Sequence, residues 1–168
     1  PEKPFLLISS DAIQANLNNP HLILDAHAFE RLISTCESHP HRNLKTCTAC
    51  AYRLEQAVEL YRGELLDGFV LKDSEYFQDW LVARREYFHQ KALTVLEHLA
   101  DYHLKRHEYQ KAITYARRLV SMDEWREESH VLLMHLLSQD SQRSAALKQY
   151  QKCCLILHEE FGVEPQPE

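Results

Sequence analysis

Glycine is scarce in this sequence, and its scarcity argues against several classes of protein. Three of the 168 residues are glycine, Gly63, Gly68 and Gly162, whereas an average usage near 7% would give about 12. Phosphate-binding loops need glycine where the backbone approaches the ligand, and no G-x-G-x-x-G or Walker pattern occurs. The sequence therefore predicts no nucleotide site in this fragment. The shortage of glycine also argues against a turn-rich all-β fold.

Long apolar runs and an excess of positive charge are missing as well. No apolar stretch approaches the roughly 20 residues that span a bilayer, and no signal-peptide pattern is present. Together with an odd number of cysteines, five, this predicts a cytoplasmic protein with no membrane partner. The net charge of −6 predicts weak DNA affinity, because that affinity depends on Lys and Arg that neutralise phosphates. Since the chain begins at Pro1, we expect a piece of a longer protein, with any strong DNA contact upstream.

Apolar residues recur at helical spacing through most of the chain. A short hairpin is expected before them, from Phe5 to Asn16, with a Ser-Ser-Asp turn. Trp80 and Trp125 are both expected to pack inside the protein. The predicted helices run from an N-cap at Asp25 to a residue before Pro40, from Cys47 to Tyr61, from an N-cap at Asp73 or Ser74 to Lys105, from Glu108 to Met122, from an N-cap at Asp123 to Ser138, and from an N-cap at Ser141 to Phe161, with Gly162 as the C-cap.

A period of about 34 residues, typical of tetratricopeptide repeats, relates the last helices of the chain to one another. It predicts an all-α fold, a right-handed stack of antiparallel helix pairs. Such a stack has a concave face that binds protein segments and no pocket for a small-molecule substrate. A generic helical bundle is the alternative, because Glu124 stands where a repeat usually has proline and Met134 where it has a small residue. The matched positions are Leu99 with Leu133, Ala112 with Ala146, Ile113 with Leu147, and Ala116 with Tyr150.

Cysteine and histidine cluster between the first two predicted helices. Cys47 and Cys50 have the C-x-x-C spacing at which two thiolates bind one tetrahedral Zn²⁺. Cys36 and His39 would supply the other two ligands, with His41 as the alternative histidine. A closed site with four ligands is structural rather than catalytic. Three other interpretations remain open: small core cysteines, a redox dithiol, and histidines that are merely solvated.

Several motifs, taken in order along the chain, resemble the bacterial transcriptional activator domain. That domain follows a winged-helix DNA-binding domain in antibiotic-pathway regulators and in larger activators that carry an ATPase. The resemblance covers about Asp25 to Pro165. The motifs are Leu60–Phe69 (LYRGELLDGF), Phe77–Leu81 (FQDWL), Arg84–Glu86 (RRE), Tyr115–Leu119 (YARRL), Trp125–His130 (WREESH), Leu133–Met134, Ser144–Tyr150 (SAALKQY) and Glu160–Pro165 (EFGVEP).

The resemblance implies a tetratricopeptide-like fold and a regulatory role without enzymatic activity. Residues 1–20 would be the C-terminal wing hairpin of a truncated winged-helix domain, residues 21–163 the activator domain, and residues 164–168 a linker. The partners would be DNA, through an upstream domain, and RNA polymerase or other domains of the same protein, with a homodimer as a further expectation. Because a wing touches phosphates or the minor groove, the residues expected to contact DNA are Ser9, Ser10 and Gln14.

Two other functions are weighed against this regulatory role. A stand-alone tetratricopeptide adaptor would bind a protein peptide and have no link to DNA. The sequence encoded before Pro1 separates the two, because a winged helix there favours the activator. An enzyme is disfavoured, because no Ser/His/Asp order and no paired carboxylates in a plausible cleft are found in the sequence.

Overall fold

A computed structural model describes residues 3–41, 43–71 and 74–163. Within these ranges a two-stranded antiparallel hairpin precedes six α-helices. Strand β1 is Leu6–Ile8 and strand β2 is Ile13–Ala15. The helices are α1 (Asp25–Ser38), α2 (Thr48–Leu60), α3 (Glu75–Lys105), α4 (Tyr109–Met122), α5 (Glu127–Gln139) and α6 (Arg143–Phe161), with a short 3-10 helix, Leu44–Thr46, between α1 and α2.

The six helices pack as three successive antiparallel pairs, α1 with α2, α3 with α4, and α5 with α6. The predicted all-α, tetratricopeptide-like fold is therefore confirmed. One core cluster, which includes Phe29, Leu54 and Leu96, joins the first pair to α3. A second cluster joins α3 and α4 to α5, and it contains the fully buried Ala112 and Ala116. Alanine at these positions lets neighbouring helices approach closely, because nothing extends beyond Cβ.

The turns between paired helices repeat with the predicted period. His107 ends the turn after α3 with φ +59°, and Ser141, one repeat later, has φ +60°. The next amide in each turn donates back across it, from Glu108 to the His103 carbonyl at 2.9 Å and from Gln142 to the Leu137 carbonyl at 2.8 Å. This is the bonding of a Schellman turn, which satisfies the carbonyls at a helix end. The repeat thus extends to individual backbone hydrogen bonds.

Three predicted N-caps are wrong. Asp25 is already the first helical residue of α1, and its carboxylate accepts from the Ala26 amide instead of capping from outside. Asp123 is the residue that ends α4, and α5 begins only at Glu127. Ser141 adopts the left-handed geometry of the turn, so its side chain makes no cap on α6. Ser74 does cap α3, accepting from the Phe77 amide, whereas Asp73 lies outside the described residues.

The expectation that both tryptophans pack inside is also wrong. Trp80 and Trp125 each expose about half of their surface. Trp80 lies on the N-terminal half of α3, where its ring contacts Phe77 at 5.6 Å between centroids. Trp125 lies in the segment between α4 and α5, next to Arg126, which pairs with Glu97 of α3 at 2.6 Å. Helical spacing indicates which side of α3 carries Trp80. It does not indicate that Trp80 lies near the N-terminal end of α3, where few other helices cover that side.

Two buried histidines join helices through both ring nitrogens. In His103 on α3, Nδ1 hydrogen-bonds to the Glu108 carboxylate (2.9 Å) and Nε2 to the Glu55 carboxylate of α2 (3.0 Å). His130 on α5 meets the Glu124 carbonyl at Nε2 (3.0 Å) and the side-chain amide of Gln149 on α6 at Nδ1 (2.8 Å). A carbonyl requires an N–H donor, whereas an amide N–H requires an acceptor. His130 therefore fits its site as the neutral ring with the proton on Nε2.

The acid sensitivity of the third helix pair is expected to depend on His130. Burial lowers the pKa of His130, although its hydrogen bond to Glu124 acts in the opposite direction. A lowered pKa means that the stability from this group is present above the unfolded value of about 6.5 and is lost as pH falls below it. We expect His130→Gln to reduce the loss in unfolding free energy between pH 7.5 and pH 5.5, measured by urea titration. The control is His135→Gln, an exposed position on the same helix, and an equal effect of the two variants would contradict the prediction.

Equivalent positions of the repeat are expected to differ sharply in their contribution to stability. Ile113 exposes 1% of its surface because α5 covers it, whereas Leu147, its equivalent on α6, exposes 58%. We expect Ile113→Ala to cost about 2–4 kcal/mol of unfolding free energy and Leu147→Ala less than about 0.5 kcal/mol. Chemical denaturation of both variants measures the difference. Similar costs at the two positions would show that α6 is covered by another part of the molecule.

Candidate metal centre

The first half of the centre is a pair of histidines at the end of α1. The helix ends at Ser38, and His39 has an extended backbone (ψ 128°), as expected for a residue before proline. Pro40 separates it from His41, and the two rings stack with centroids 5.3 Å apart. Their Nδ1 atoms are 3.1 Å from each other. Both histidines are half-buried, so the pair presents two nitrogen ligands on one side of the loop.

The second half is the C-x-x-C pair at the start of α2. Cys47 directly precedes the helix, and Cys50 lies one turn inside it, fully buried. The Nδ1 atom of His39 is 3.7 Å from the Cys47 sulfur and 3.5 Å from the Cys50 sulfur. The Nδ1 atom of His41 is 3.8 Å from the Cys50 sulfur. All four ligand atoms lie within 4.8 Å of one another, and this group of two histidines and two cysteines could hold a metal ion.

The distances between these donors match the edges of a tetrahedron around a small metal ion. Typical bond lengths for zinc, about 2.0 Å to nitrogen and about 2.3 Å to sulfur, place two nitrogens about 3.3 Å apart and nitrogen and sulfur about 3.5 Å apart. The observed separations are 3.1 Å between nitrogens and 3.5–3.8 Å between nitrogen and sulfur. The donor set, two imidazoles and two sulfurs, is also one that zinc prefers. The residues present therefore fit such an ion.

The surroundings shift the pKa values of the two cysteine thiols in opposite directions. Burial raises the pKa of the Cys50 thiol to about 12, and the neighbouring Cys47 sulfur adds to this effect. Hydrogen bonding from the Cys50 backbone amide lowers the pKa of Cys47, with a smaller contribution from the positive charge of Arg53. Arg53 also has a buried Nη1 atom with no hydrogen-bond partner in the described part of the chain. A cation binding here would favour the thiolate form of both cysteines, because metal binding displaces their protons.

The loop that carries the histidines is attached to α3. Asn43 begins the 3-10 helix and accepts from the Lys45 amide at 2.8 Å. The Leu44 carbonyl lies 3.2 Å from Nε2 of His98, and Lys45 pairs with Asp101 at 2.9 Å. Both partners belong to α3, so the segment between α1 and α2 lies against the second helix pair. The metal centre thus sits where the first pair meets the second.

Cys36 lies outside the group of four, which differs from the expected set of Cys36 with a single histidine. Its thiol donates to the Cys50 carbonyl at 3.6 Å, and its side chain is buried in the core. Burial raises the pKa of this thiol, as it does for Cys50. His39 and His41, offered as alternatives by the sequence, instead both face the cysteine pair.

The residues expected to contact DNA lie in and around the turn of the hairpin. Ser10 and Gln14 are exposed, whereas the Ser9 hydroxyl bonds to the backbone of Ala12 within the turn. His98 and Asp101, which hold the metal loop in place, were missed by sequence reasoning. Their loop partners, Leu44 and Lys45, are far from them along the chain, and no local spacing signals such contacts.

The fold is a stack of antiparallel helix pairs, and four side chains between its first two helices form a group that could hold a metal ion. A family model described as the bacterial transcriptional activator domain matches residues 24–168. The chain belongs to the family of bacterial transcriptional activator domains. This is a regulatory family rather than an enzymatic one. A search of curated proteins finds no match to this chain, and no helix in the described ranges is long and apolar enough to cross a membrane.

Proposed function

We propose that this helical stack is the interaction module of a DNA-binding transcriptional activator and that it positions the domain that reads DNA. The observation that carries the proposal is the family match over residues 24–168. Family membership gives the association with transcriptional activators. We further propose that one side of the stack holds the DNA-binding domain in place. The other side offers a surface for dimerisation or for RNA polymerase. Two exposed apolar surfaces support it.

The first of these surfaces is the N-terminal hairpin. Ile8 and Ile13 face each other across the two strands, and they expose 74% and 71% of their surface. Phe5, Leu6 and Leu7 are about half exposed. A two-stranded hairpin is marginally stable by itself, and exposed apolar side chains on neighbouring strand positions mark a surface that packs on something else. Residues 1–20 as the wing hairpin of a winged-helix domain account for this exposure, and the proposed activator domain then occupies residues 21–163.

The second surface lies at the other end of the stack. A groove of about 1010 Å³ runs between α5 and α6. Leu147 and Met134 line it, and they occupy the repeat positions of Ile113 and Ala100. One repeat earlier those two residues are buried under α5. The groove is therefore a helix-binding position of the stack, which suits a module that gathers other protein segments.

The hairpin supplies a direct test of the activator proposal. In the full-length protein, Ile8→Asp is expected to weaken binding to a selected DNA duplex by about tenfold or more, because a buried carboxylate would separate the hairpin from its domain. The matched control is Ile23→Asp, which is equally exposed but lies between the hairpin and α1. Fluorescence anisotropy at constant salt measures both. Unchanged DNA binding by Ile8→Asp, or a full-length protein that binds no DNA, would favour the stand-alone adaptor.

We also propose that His39, His41, Cys47 and Cys50 bind a structural Zn²⁺. Four protein ligands leave no open position for substrate, so the ion would connect α1 to α2 rather than catalyse a reaction. Metal binding here would be part of folding, because His39 and His41 lie on a loop, whereas Cys47 is the N-cap residue of α2 and Cys50 lies in its first turn. The described part of that loop contains no buried side chain, so the ion would provide order that the hydrophobic core does not.

Metal content tests the zinc proposal. We expect purified protein to contain about one equivalent of zinc, and a chelator to lower its melting temperature by about 5 °C or more. Cys47→Ser is expected to lose the metal. Cys36→Ala is the matched control and should retain it, because Cys36 is not one of the four residues whose donor atoms lie within 4.8 Å of one another. Less than a tenth of an equivalent in protein purified with zinc present would contradict the proposal.

A further inference from the structure

The three thiols near the metal centre differ in how easily a reagent reaches them. Cys47 is half-buried, whereas Cys36 and Cys50 are fully buried. A small oxidant arriving from solvent therefore meets the Cys47 sulfur first. Thiolates react with oxidants and protonated thiols do not, and a thiolate is the form that the proposed zinc site would maintain. Cys47 thus carries the more accessible sulfur of the centre, and this sulfur is the nucleophile that would attack the oxidant.

Cys50 is the partner that an oxidised Cys47 would meet. Cys47 directly precedes α2 and Cys50 lies in its first turn, and their sulfur atoms lie within 4.8 Å of each other. A disulfide needs an S–S distance of about 2.0 Å and Cβ atoms roughly 3.5–4.5 Å apart, so bridging them requires a local adjustment, and the extended backbone of Cys47 lies outside the helix. Cys36 lies on a different helix and next to Cys50, but it is fully buried and outside the group whose donor atoms all lie within 4.8 Å of one another. The geometry favours a bond between Cys47 and Cys50 over one that involves Cys36.

We propose that Cys47 and Cys50 form a reversible oxidation site, at which hydrogen peroxide produces a disulfide and releases the metal. The proposal rests on the zinc site proposed above. The Cys47 thiolate attacks one peroxide oxygen, the O–O bond breaks, and a sulfenic acid and hydroxide form. The Cys50 thiolate then attacks the Cys47 sulfur, the S–S bond forms, and a second hydroxide leaves. Two protons convert both hydroxides to water, so the sulfurs lose two electrons and the peroxide gains them.

Loss of the metal follows from the number of ligands. The disulfide removes both sulfur ligands and leaves His39 and His41, which are two ligands on a loop. That loop is otherwise held to α3 by the contacts of Leu44 with His98 and of Lys45 with Asp101. Lys45 is largely exposed, and exposed ion pairs contribute little to stability. Oxidation is therefore expected to loosen the contact of this loop with α3 while the core clusters stay folded.

The test follows zinc and thiols in the same sample. Zinc-loaded protein is treated with hydrogen peroxide, free zinc is read with an indicator dye, and disulfides are mapped by peptide mass spectrometry. We expect one zinc released for each Cys47–Cys50 disulfide, and recovery of the bound form after a dithiol reductant and zinc are added. The rate in Cys36→Ala should stay within about twofold of the wild-type rate, since that thiol takes no part in the exchange. Cys154→Ser, which removes a half-buried thiol on α6, should behave in the same way.

The outcomes separate this inference from the zinc proposal. Protein that binds no zinc before peroxide is added contradicts the zinc proposal and the release step, and disulfide mapping then decides on the oxidation site alone. Protein that binds zinc and keeps it, with Cys47 and Cys50 still reduced after free glutathione is fully oxidised, overturns the inference. A disulfide that maps to Cys36, or slow release in Cys36→Ala, overturns the assignment of the pair.

Discussion

Close approach of helices through alanine is the constraint on which the rest of this structure depends. Ala100, Ala112 and Ala116 are fully buried between α3, α4 and α5. A larger side chain at any of them would push the helices apart and add strain that a packed core does not absorb. Their spacing fixes the angle of one helix pair against the next, and that angle determines where α5 lies and where the groove between α5 and α6 opens.

The period of the repeat could be predicted because residues of similar size recur at equivalent positions. The backbone geometry of the turns could not be predicted in this way. Alanine and leucine recur at equivalent positions of successive repeats and mark the faces that touch. The turns instead depend on a left-handed residue, which is His107 in one and Ser141 in the other. Neither residue type signals that geometry as glycine does, so sequence reasoning favours for Ser141 the more common role of an N-cap. Backbone hydrogen bonding, not side-chain identity, is shared between the two turns of this chain.

The cysteines and histidines of the candidate metal centre could be singled out from the sequence, but their grouping depended on where α1 ends. Cys36 and His39 would share one face if the helix continued through both. Pro40 stops the helix at Ser38 and turns His39 into extended geometry, so the two side chains diverge. Cys36 points into the core, and His39 joins His41 on the loop. The C-x-x-C pair needed no such correction, because Cys47 and Cys50 lie within one turn at the start of α2, and that boundary was predicted to within a residue.

A metal clip suits this loop because the hydrophobic effect has little to act on there. Residues 39–41 and 43–47 contain no fully buried side chain; Leu44 and Cys47 pack only partly against the core. The polar contacts of this segment with α3 are one hydrogen bond at Leu44 and one ion pair at Lys45. The 14 residues of α1, by contrast, are held by Phe29 and Ile33 in the core. Ordering the loop costs conformational entropy. Four bonds to one metal ion would offset that cost with few residues. Stability that depended on two sulfurs could also be removed by sulfur chemistry, so the proposed metal clip and the proposed oxidation site share Cys47 and Cys50.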